Sequence, residues 1–309
     1  MTTKSLKNLA EVPKEEQLNF IDSFDYVLTD LDGVLWILWK PFPDAVECMD
    51  NLRTIGKKIG FVTNYTGAPI SVLFERLKNN KLSQNIEELV NPYMAVVAHL
   101  KKINFQKKLY VVASKQYKEN LKKDGFNVAD DPPQEIEESV KGIFENIQDD
   151  EEIGAVLYDF DANLTYIKLQ KVLTYLKRKD CLFFIAAADK ALPVGPIGPL
   201  IGNKFFYTCL SEISGRQPVQ LAKPSHLYNQ YVAEKLNVTD PKRTLFIGDV
   251  INEDMGFGTV GGYQKLLVLS GTTKMDDIKD WKHPEEYKPT YYIQNLSELN
   301  KIIKTVHKL

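Results

Sequence analysis

Short β-branched and aromatic runs alternate with amphipathic segments along most of this chain, and that alternation is what most narrows the fold. The runs Tyr26–Asp30, Ile59–Thr63, Leu109–Val112, Ala155–Phe160, Leu182–Ile185, Thr244–Gly248 and Lys265–Leu269 are bounded by turn residues and read as strands. Between them, Leu169, Val172, Leu173 and Leu176 recur at helical spacing, as do Leu299, Ile302, Ile303 and Val306. Leu227, Tyr228, Tyr231, Val232 and Leu236 repeat the pattern, and Met49, Leu52 and Ile55 do so until Gly56 stops them. Strands separated by helices cannot pair as hairpins. The expected class is α/β, a parallel sheet with helices on both faces.

At 309 residues the chain is long enough for two domains of roughly 100–200 residues each. Lys and Arg number 39 against 41 Asp and Glu, so the net charge of −2 argues against nucleic acid as a partner. No window carries the roughly 18 unbroken apolar residues of a membrane span, and no membrane partner is expected. The polar stretch from Met1 to Glu16 lacks the apolar core of a secretory signal. The expected location is therefore cytoplasmic, with the sequons at Asn64, Asn163, Asn237 and Asn295 unread. Cys48, Cys181 and Cys209 have no metal-type spacing and are expected to be free thiols buried as small hydrophobes. Dense charge over Glu135–Glu152 and the Pro/Gly-rich loop Pro193–Gly202 hint at a domain boundary. With no internal repeat, the second domain reads as an insertion.

The segment from Tyr26 to Trp36 runs from an apolar strand into Asp30 and Asp32, then Gly33. Ligands of open α/β sheets bind outside the carboxyl ends of strands, and two adjacent carboxylates need a cation or a shared proton. An acidic turn with no function would look the same. Three further segments have the same form. Ile59–Asn64 ends in Thr63 and Asn64, suited to holding anion oxygens. Lys223 precedes Pro224 ahead of an amphipathic helix, where a solvated loop lysine is the ordinary expectation. Thr244–Asp249 ends in Gly-Asp, with Glu253 and Asp254 beyond, hard oxygen ligands of the kind Mg²⁺ takes, although an aspartate there could equally cap a helix.

In that order and spacing, the four segments resemble the motifs of the haloacid dehalogenase superfamily: DxD, Ser/Thr, Lys and an acidic motif. The likeness is closest to the p-nitrophenylphosphatase and phosphoglycolate phosphatase branch. It is carried by Asp30–Trp36, Thr63-Asn64, Gly154–Val156 with Asp161 and Leu164–Leu169, Gly215-Arg216, Lys223–Ser225 and Leu267–Gly271. The resemblance implies a Rossmann-like core over residues 1–100 and 218–309, with an α/β cap inserted over 101–217. It further implies an Mg²⁺-dependent phosphatase acting on a small phosphate monoester. Asp30 would be the nucleophile that forms an aspartyl-phosphate, Asp32 the acid and base, and Thr63 and Asn64 the phosphoryl holders. Lys223 would offset the substrate's charge, and Mg²⁺ would be held by Asp30, the Asp32 carbonyl and Asp249, with Asp254 in support. Asp189 in the cap would contact substrate, and dimerisation through the cap is part of the same expectation.

This chain departs from the branch around those residues. Tyr65 follows Thr63-Asn64, Leu38 and Trp39 follow Trp36, and Ile185-Ala-Ala-Ala-Asp189 and Pro199–Gly202 replace more polar or glycine-rich runs. Val250 and Glu253 stand in the acidic motif. The apolar changes suggest an aryl or isoprenoid leaving group. A phosphoglycolate phosphatase and a weakly active relative that binds phosphate ligands or proteins are the alternatives. Gly256–Gly261 matches a dinucleotide fingerprint but follows no strand immediately, so a nicotinamide cofactor is rejected. His226 reads as the start of a helix. A receiver-type phosphoacceptor is a poor fit, because the candidate nucleophile ends the first strand and not a later one.

Overall fold

The computed structural model describes residues 6–37, 40–192 and 200–309; Leu38, Trp39 and residues 193–199 of the Pro/Gly-rich loop lie outside the described residues. Two parallel sheets account for most of the strands. The larger has seven strands in the order Lys7–Asn8, Tyr291–Ile293, Gln264–Val268, Thr244–Gly248, Tyr26–Thr29, Lys58–Val62 and Leu89–Val90, with every pair parallel. The smaller has four, in the order Val219–Gln220, Leu182–Ile185, Ile153–Tyr158 and Lys108–Val112, again all parallel.

Alternate residues of each core strand enter opposite packing clusters. Val27, Phe61, Leu245 and Ile247 face one side with the helices Ala45–Thr54 and Leu296–His307. Leu28, Val62 and Phe246 face the other, with Tyr228 and Val232 of the helix His226–Lys235. Burial on both faces explains why these strands read as continuous apolar runs. Each fully buried Leu, Val or Phe contributes about 1.5–3 kcal/mol. The smaller sheet is built the same way, Leu109 and Val111 packing on one face and Tyr110 and Val112 on the other.

The helices start where side chains can satisfy their first amides. Ser225 accepts from Tyr228 N, Thr165 from Lys168 N, and Asn91 from Met94 N with Pro92 in the first turn. His226 is the first residue of its helix, as expected. Gly256–Gly261 is a short helix that closes on Gly262 before the strand Gln264–Val268, so it is no phosphate loop.

Two units are joined by two chain connections and by side-chain contacts between them. The helix Pro92–Lys102 places Ala95 in the core cluster and Val96 and Leu100 in the cluster of the smaller sheet. The chain returns through Val219–Gln220, just past residue 217, and Lys223 follows within three residues. Across the gap Thr66 donates to Asp159 Oδ1 (2.6 Å), and Asn64 lies 3.5 Å from Asp189 Oδ1. The charged stretch Glu135–Glu152 lies between two strands of the smaller sheet, with the helix Val140–Asn146 within it.

One expectation about cysteine fails. Cys48 and Cys181 are buried, but Cys209 is exposed, because it sits on the outward face of the helix Lys204–Ser214 between the exposed Phe205 and Ile213. No described helix is long and apolar enough to cross a membrane.

Inside the smaller unit, Lys168 and Asp161 form a 2.7 Å ion pair with both side chains about 4% exposed, and Lys168 Nζ also donates to Asn163 O. Removing one member of such a pair strands the other charge in a low-dielectric site. Lys168→Met is expected to lose about 3–5 kcal/mol of stability in a urea melt, by that same penalty, whereas Lys141→Met, at an exposed pair, should lose under about 1 kcal/mol.

Candidate active site

Three adjacent parallel strands deliver the polar groups of the site. Asp30 follows Tyr26–Thr29, Thr63 follows Lys58–Val62, and Asp249 follows Thr244–Gly248. The backbone amide of Asp30 donates to Ile247 O at 2.9 Å, so the ladder continues one residue beyond the strand and fixes where the carboxylate begins. Asp30, Thr63, Lys223, Asp249 and Asp254 are all buried.

Lys223 is the centre of the arrangement. Its ammonium lies 2.8 Å from Asp30 Oδ1 and 2.7 Å from Asp254 Oδ1, and it donates to Val62 O at 3.3 Å. Burial disfavours the charged form, but the two carboxylates outweigh it and hold the lysine pKa above its ordinary value. Asn64 fixes the same residue through its backbone: Asn64 Oδ1 accepts from Lys223 N at 2.8 Å, and its Nδ2 lies 3.4 Å from Lys223 O. Tyr228 donates to Thr63 O at 2.9 Å, and the Thr63 hydroxyl accepts from Tyr65 N.

Asp254 is fully committed. One oxygen takes the lysine, and the other accepts from the amides of Asp249 and Val250 at 3.0 and 2.9 Å. Asp249 differs. Its Oδ2 accepts from Thr272 N at 2.6 Å, while its Oδ1 is buried with no hydrogen-bond partner among the described residues. Room for this carboxylate depends on glycine. Gly33 has φ +84°, and a Cβ there would lie 2.5 Å from Asp249 Oδ2; a Cβ on Gly271 would also collide with that oxygen.

Asp30, Asp249 and Asp254 form a group whose ligand atoms all lie within 4.8 Å of one another. Clustered carboxylates cannot all ionise without compensation. Burial drives Asp30 well above the carboxylate range despite Lys223, and it drives Asp249 up to about 7, with Asp254 adding repulsion. A divalent cation fits this donor set: an unpartnered buried oxygen on Asp249 beside Asp30 is the hard oxygen environment that Mg²⁺ prefers. Asp254, with both oxygens occupied, is placed to hold Lys223 instead.

Asp32 is partly buried, and its Oδ1 accepts from the Trp36 indole at 2.9 Å. Burial raises its pKa, partly opposed by Trp36 and by the positive charges of Arg76 and Lys223. Asp189, from the smaller unit, is partly buried beside Asn64, and burial raises its carboxyl as well. Seven of the eight residues singled out from the sequence thus stand together on the larger unit, and Asp189 meets them from the smaller one. Two that sequence reasoning missed stand beside them. Asp159 ends the strand Ile153–Tyr158 in the smaller unit, fully buried, with Oδ1 on Thr66 and Phe160 N and Oδ2 unpartnered among the described residues. Gly271 clears space for Asp249. The strand-end position of Asp159 was a usable signal of the kind that marked Asp30; Gly271 lies in the Leu267–Gly271 run that carries the resemblance, but that run did not reveal its role.

Residues 27–127 match the family described as haloacid dehalogenase-like hydrolase, and residues 220–299 match a second, HAD-hydrolase-like family. The chain belongs to the haloacid dehalogenase-like hydrolases. It is 30% identical over 295 residues to a 4-nitrophenylphosphatase of Schizosaccharomyces pombe, covering 93% of this chain and 96% of that protein. It is 29% identical over 305 residues to the chloroplastic phosphoglycolate phosphatase 1A of Arabidopsis thaliana, covering 96% and 80%. Among solved structures, the p-nitrophenyl phosphatase from Archaeoglobus fulgidus shares the fold, with a TM-score of 0.75 at 22% identity over 90% of this chain and 99% of that one.

Asp159 generates a pH prediction. Burial pushes its carboxyl from 3.8 up to about 7. The folded chain thus holds this proton where the unfolded chain has lost it. The stability that results is fully present below about pH 4 and is lost as pH rises to about 7, at up to about 1.4 kcal/mol per unit. Asp159→Asn should flatten that part of the profile, and thermal melts of both proteins at pH 5 and pH 8 measure it.

Proposed function

We propose that this chain is an Mg²⁺-dependent phosphatase that hydrolyses small phosphate monoesters through an aspartyl-phosphate on Asp30. The observation that carries the reading is the Asp30–Lys223–Asp254 ion triad at the carboxyl ends of parallel strands, beside an Asp249 oxygen with no partner among the described residues. When bound, Mg²⁺ would be held by Asp30 and Asp249 and the Asp32 carbonyl, and would neutralise part of the phosphoryl charge. Lys223 offsets more of that charge and, by its two carboxylate contacts, fixes the Asp30 oxygen it holds. The Asp30 carboxylate attacks phosphorus. Thr63 and Asn64 hold the transferring group in place.

Asp32 serves as the proton donor to the departing oxygen and then takes a proton from the water that hydrolyses the acyl-phosphate. Burial suits it to that exchange by raising its pKa above the ordinary carboxylate value, while the Trp36 indole fixes one oxygen and leaves the other for the proton. The insertion over 101–217 acts as the cap. It closes through Thr66–Asp159 and Asn64–Asp189, and it carries the residues nearest the leaving group.

An apolar leaving group, aryl or isoprenoid, draws support from Tyr65 and from the buried Ala186, Ala187 and Ala188. The carboxyl groups of Asp159, Asp189 and Glu253 weigh against a wholly apolar one, since apolar surface packed on them offers no hydrogen bond. They weigh equally against phosphoglycolate, whose carboxylate would meet them. A homodimer through the cap is supported by the exposed Phe205 and Ile213 at helical spacing on Lys204–Ser214, next to the exposed edge residue Val219.

Phosphate release from p-nitrophenyl phosphate should require Mg²⁺, fall to background in a chelator and return when Mg²⁺ is restored in excess. Asp30→Asn should lower kcat by about a thousandfold or more, the scale expected when a nucleophile is removed, with the fold intact by circular dichroism. Metal-independent turnover, or an Asp30→Asn enzyme as active as the parent, would overturn the reading.

A further inference from the structure

We infer that the loop Ser270–Thr273 positions the metal site: it fixes which oxygen of Asp249 faces a divalent cation, with Ser270 and Gly271 as the positioning residues. This inference rests on the phosphatase reading above and concerns the metal-holding part of the same site.

The sheet places the loop. Leu267 pairs with Gly248, and Leu269 N donates to Ile293 O at 3.1 Å, so the strand Gln264–Val268 ends beside the strand that delivers Asp249. The chain then turns back over that aspartate. Thr272 N donates to Asp249 Oδ2 at 2.6 Å, and Thr273 N donates to Asp249 O at 3.1 Å. Successive amides thus hold the residue by its side chain and by its backbone. Ser270 Oγ donates to Gly33 O at 2.7 Å, in the turn that follows Asp30 and Asp32. One short loop therefore ties Asp249 to the turn beyond the other two aspartates. Gly271 makes the approach possible, since a Cβ there would lie 2.0 Å from Asp249 Oδ2 and 2.7 Å from Gly33 Cα.

Closing a surface loop requires none of this. Thr272 is exposed, so water could satisfy its amide, yet that amide meets a carboxylate that is 1% exposed. The consequence is orientation. With Oδ2 held, Asp249 Oδ1 is left without a partner among the described residues, in a group with Asp30 and Asp254 whose ligand atoms lie within 4.8 Å of one another. Mg²⁺ demands near-octahedral oxygens at about 2.0–2.1 Å, whereas Ca²⁺ accepts a flexible shell at about 2.3–2.6 Å. Hydrogen bonds that orient a ligand also set how tightly the metal binds. Loosening this loop should therefore weaken Mg²⁺ more than Ca²⁺.

The test reads metal binding without turnover. The full chain and its variants Ser270→Ala, Ser270→Thr and Gly271→Ala are titrated with Mg²⁺ and, separately, with Ca²⁺, and each Kd is taken from the rise in Tm with metal concentration. The ratio of the Mg²⁺ Kd to the Ca²⁺ Kd should rise about threefold or more in Ser270→Ala and about tenfold or more in Gly271→Ala, the scale on which supports of metal ligands act. Ser270→Thr keeps the hydroxyl and should restore the parent's ratio. The Mg²⁺ concentration for half-maximal hydrolysis of p-nitrophenyl phosphate should rise in step with the Mg²⁺ Kd. Should Gly271→Ala fail to fold, Ser270→Ala decides. A folded alanine variant that keeps the parent's ratio, or that binds both ions more weakly by the same factor, overturns the inference. If the parent binds Mg²⁺ and hydrolyses p-nitrophenyl phosphate while the alanine variants match it, only this inference falls; if the parent neither binds Mg²⁺ nor hydrolyses the ester, the phosphatase reading falls with it.

Discussion

A single buried ammonium organises this active site. Lys223 sits between Asp30 and Asp254, with no more than 7% of any of the three exposed to solvent. Placing one cation between two anions in a low-dielectric pocket is tolerable only while all three are present; losing the lysine leaves two carboxylates facing each other. The pairing also decides what each carboxylate can still do. Asp254 has both oxygens engaged and becomes a fixed counter-charge. Asp249 retains a bare oxygen, and Asp30 is held by one oxygen at the end of its strand. Three identical side chains thus stand in three different surroundings, which is what lets the proposed mechanism assign them the roles of nucleophile, metal ligand and support.

The lysine also links the two halves of the molecule. It follows the last cap strand, Val219–Gln220, by three residues, and Gln220 donates to its carbonyl at 2.9 Å. Its backbone is held by Asn64 from the core, and Asn64 in turn reaches Asp189 of the cap. Movement of the cap is therefore felt where the charge is balanced. Asp30 and Lys223 are almost inaccessible, and Thr66–Asp159 and Asn64–Asp189 join the two units beside them.

Much of this was legible in the sequence. The core strands stand out because burial on both faces demands continuous β-branched and aromatic runs, and observed limits such as Tyr26–Thr29 and Lys58–Val62 fall within a residue of those expected. The polar residues that end those strands mark the site, since the carboxyl end of a parallel strand is where a buried run can meet a ligand. Short strands were not legible: Lys7–Asn8, Leu89–Val90 and Val219–Gln220 have too few residues for periodicity, and only their neighbours make them strands. Nor was the character of the cleft. Reading Tyr65 and Ala186–Ala188 suggested an apolar wall, because those residues sit beside recognised motifs. Asp159 belongs to no such motif, and only the meeting of cap and core brings it to Thr66. The exposure of Cys209 likewise follows from which face of its helix meets the sheet, a choice that one residue does not reveal.

The central claim is that Asp30 becomes covalently phosphorylated during turnover. The most direct measurement is an acid quench of the enzyme mixed with a radiolabelled phosphate monoester and Mg²⁺ on the millisecond scale, followed by peptide mapping. The account predicts protein-bound phosphate with the acid stability and hydroxylamine lability of an acyl-phosphate, located on the peptide bearing Asp30 and absent from Asp30→Asn. Rapid turnover with no labelled protein under single-turnover conditions, or label on a peptide that lacks Asp30, would contradict it.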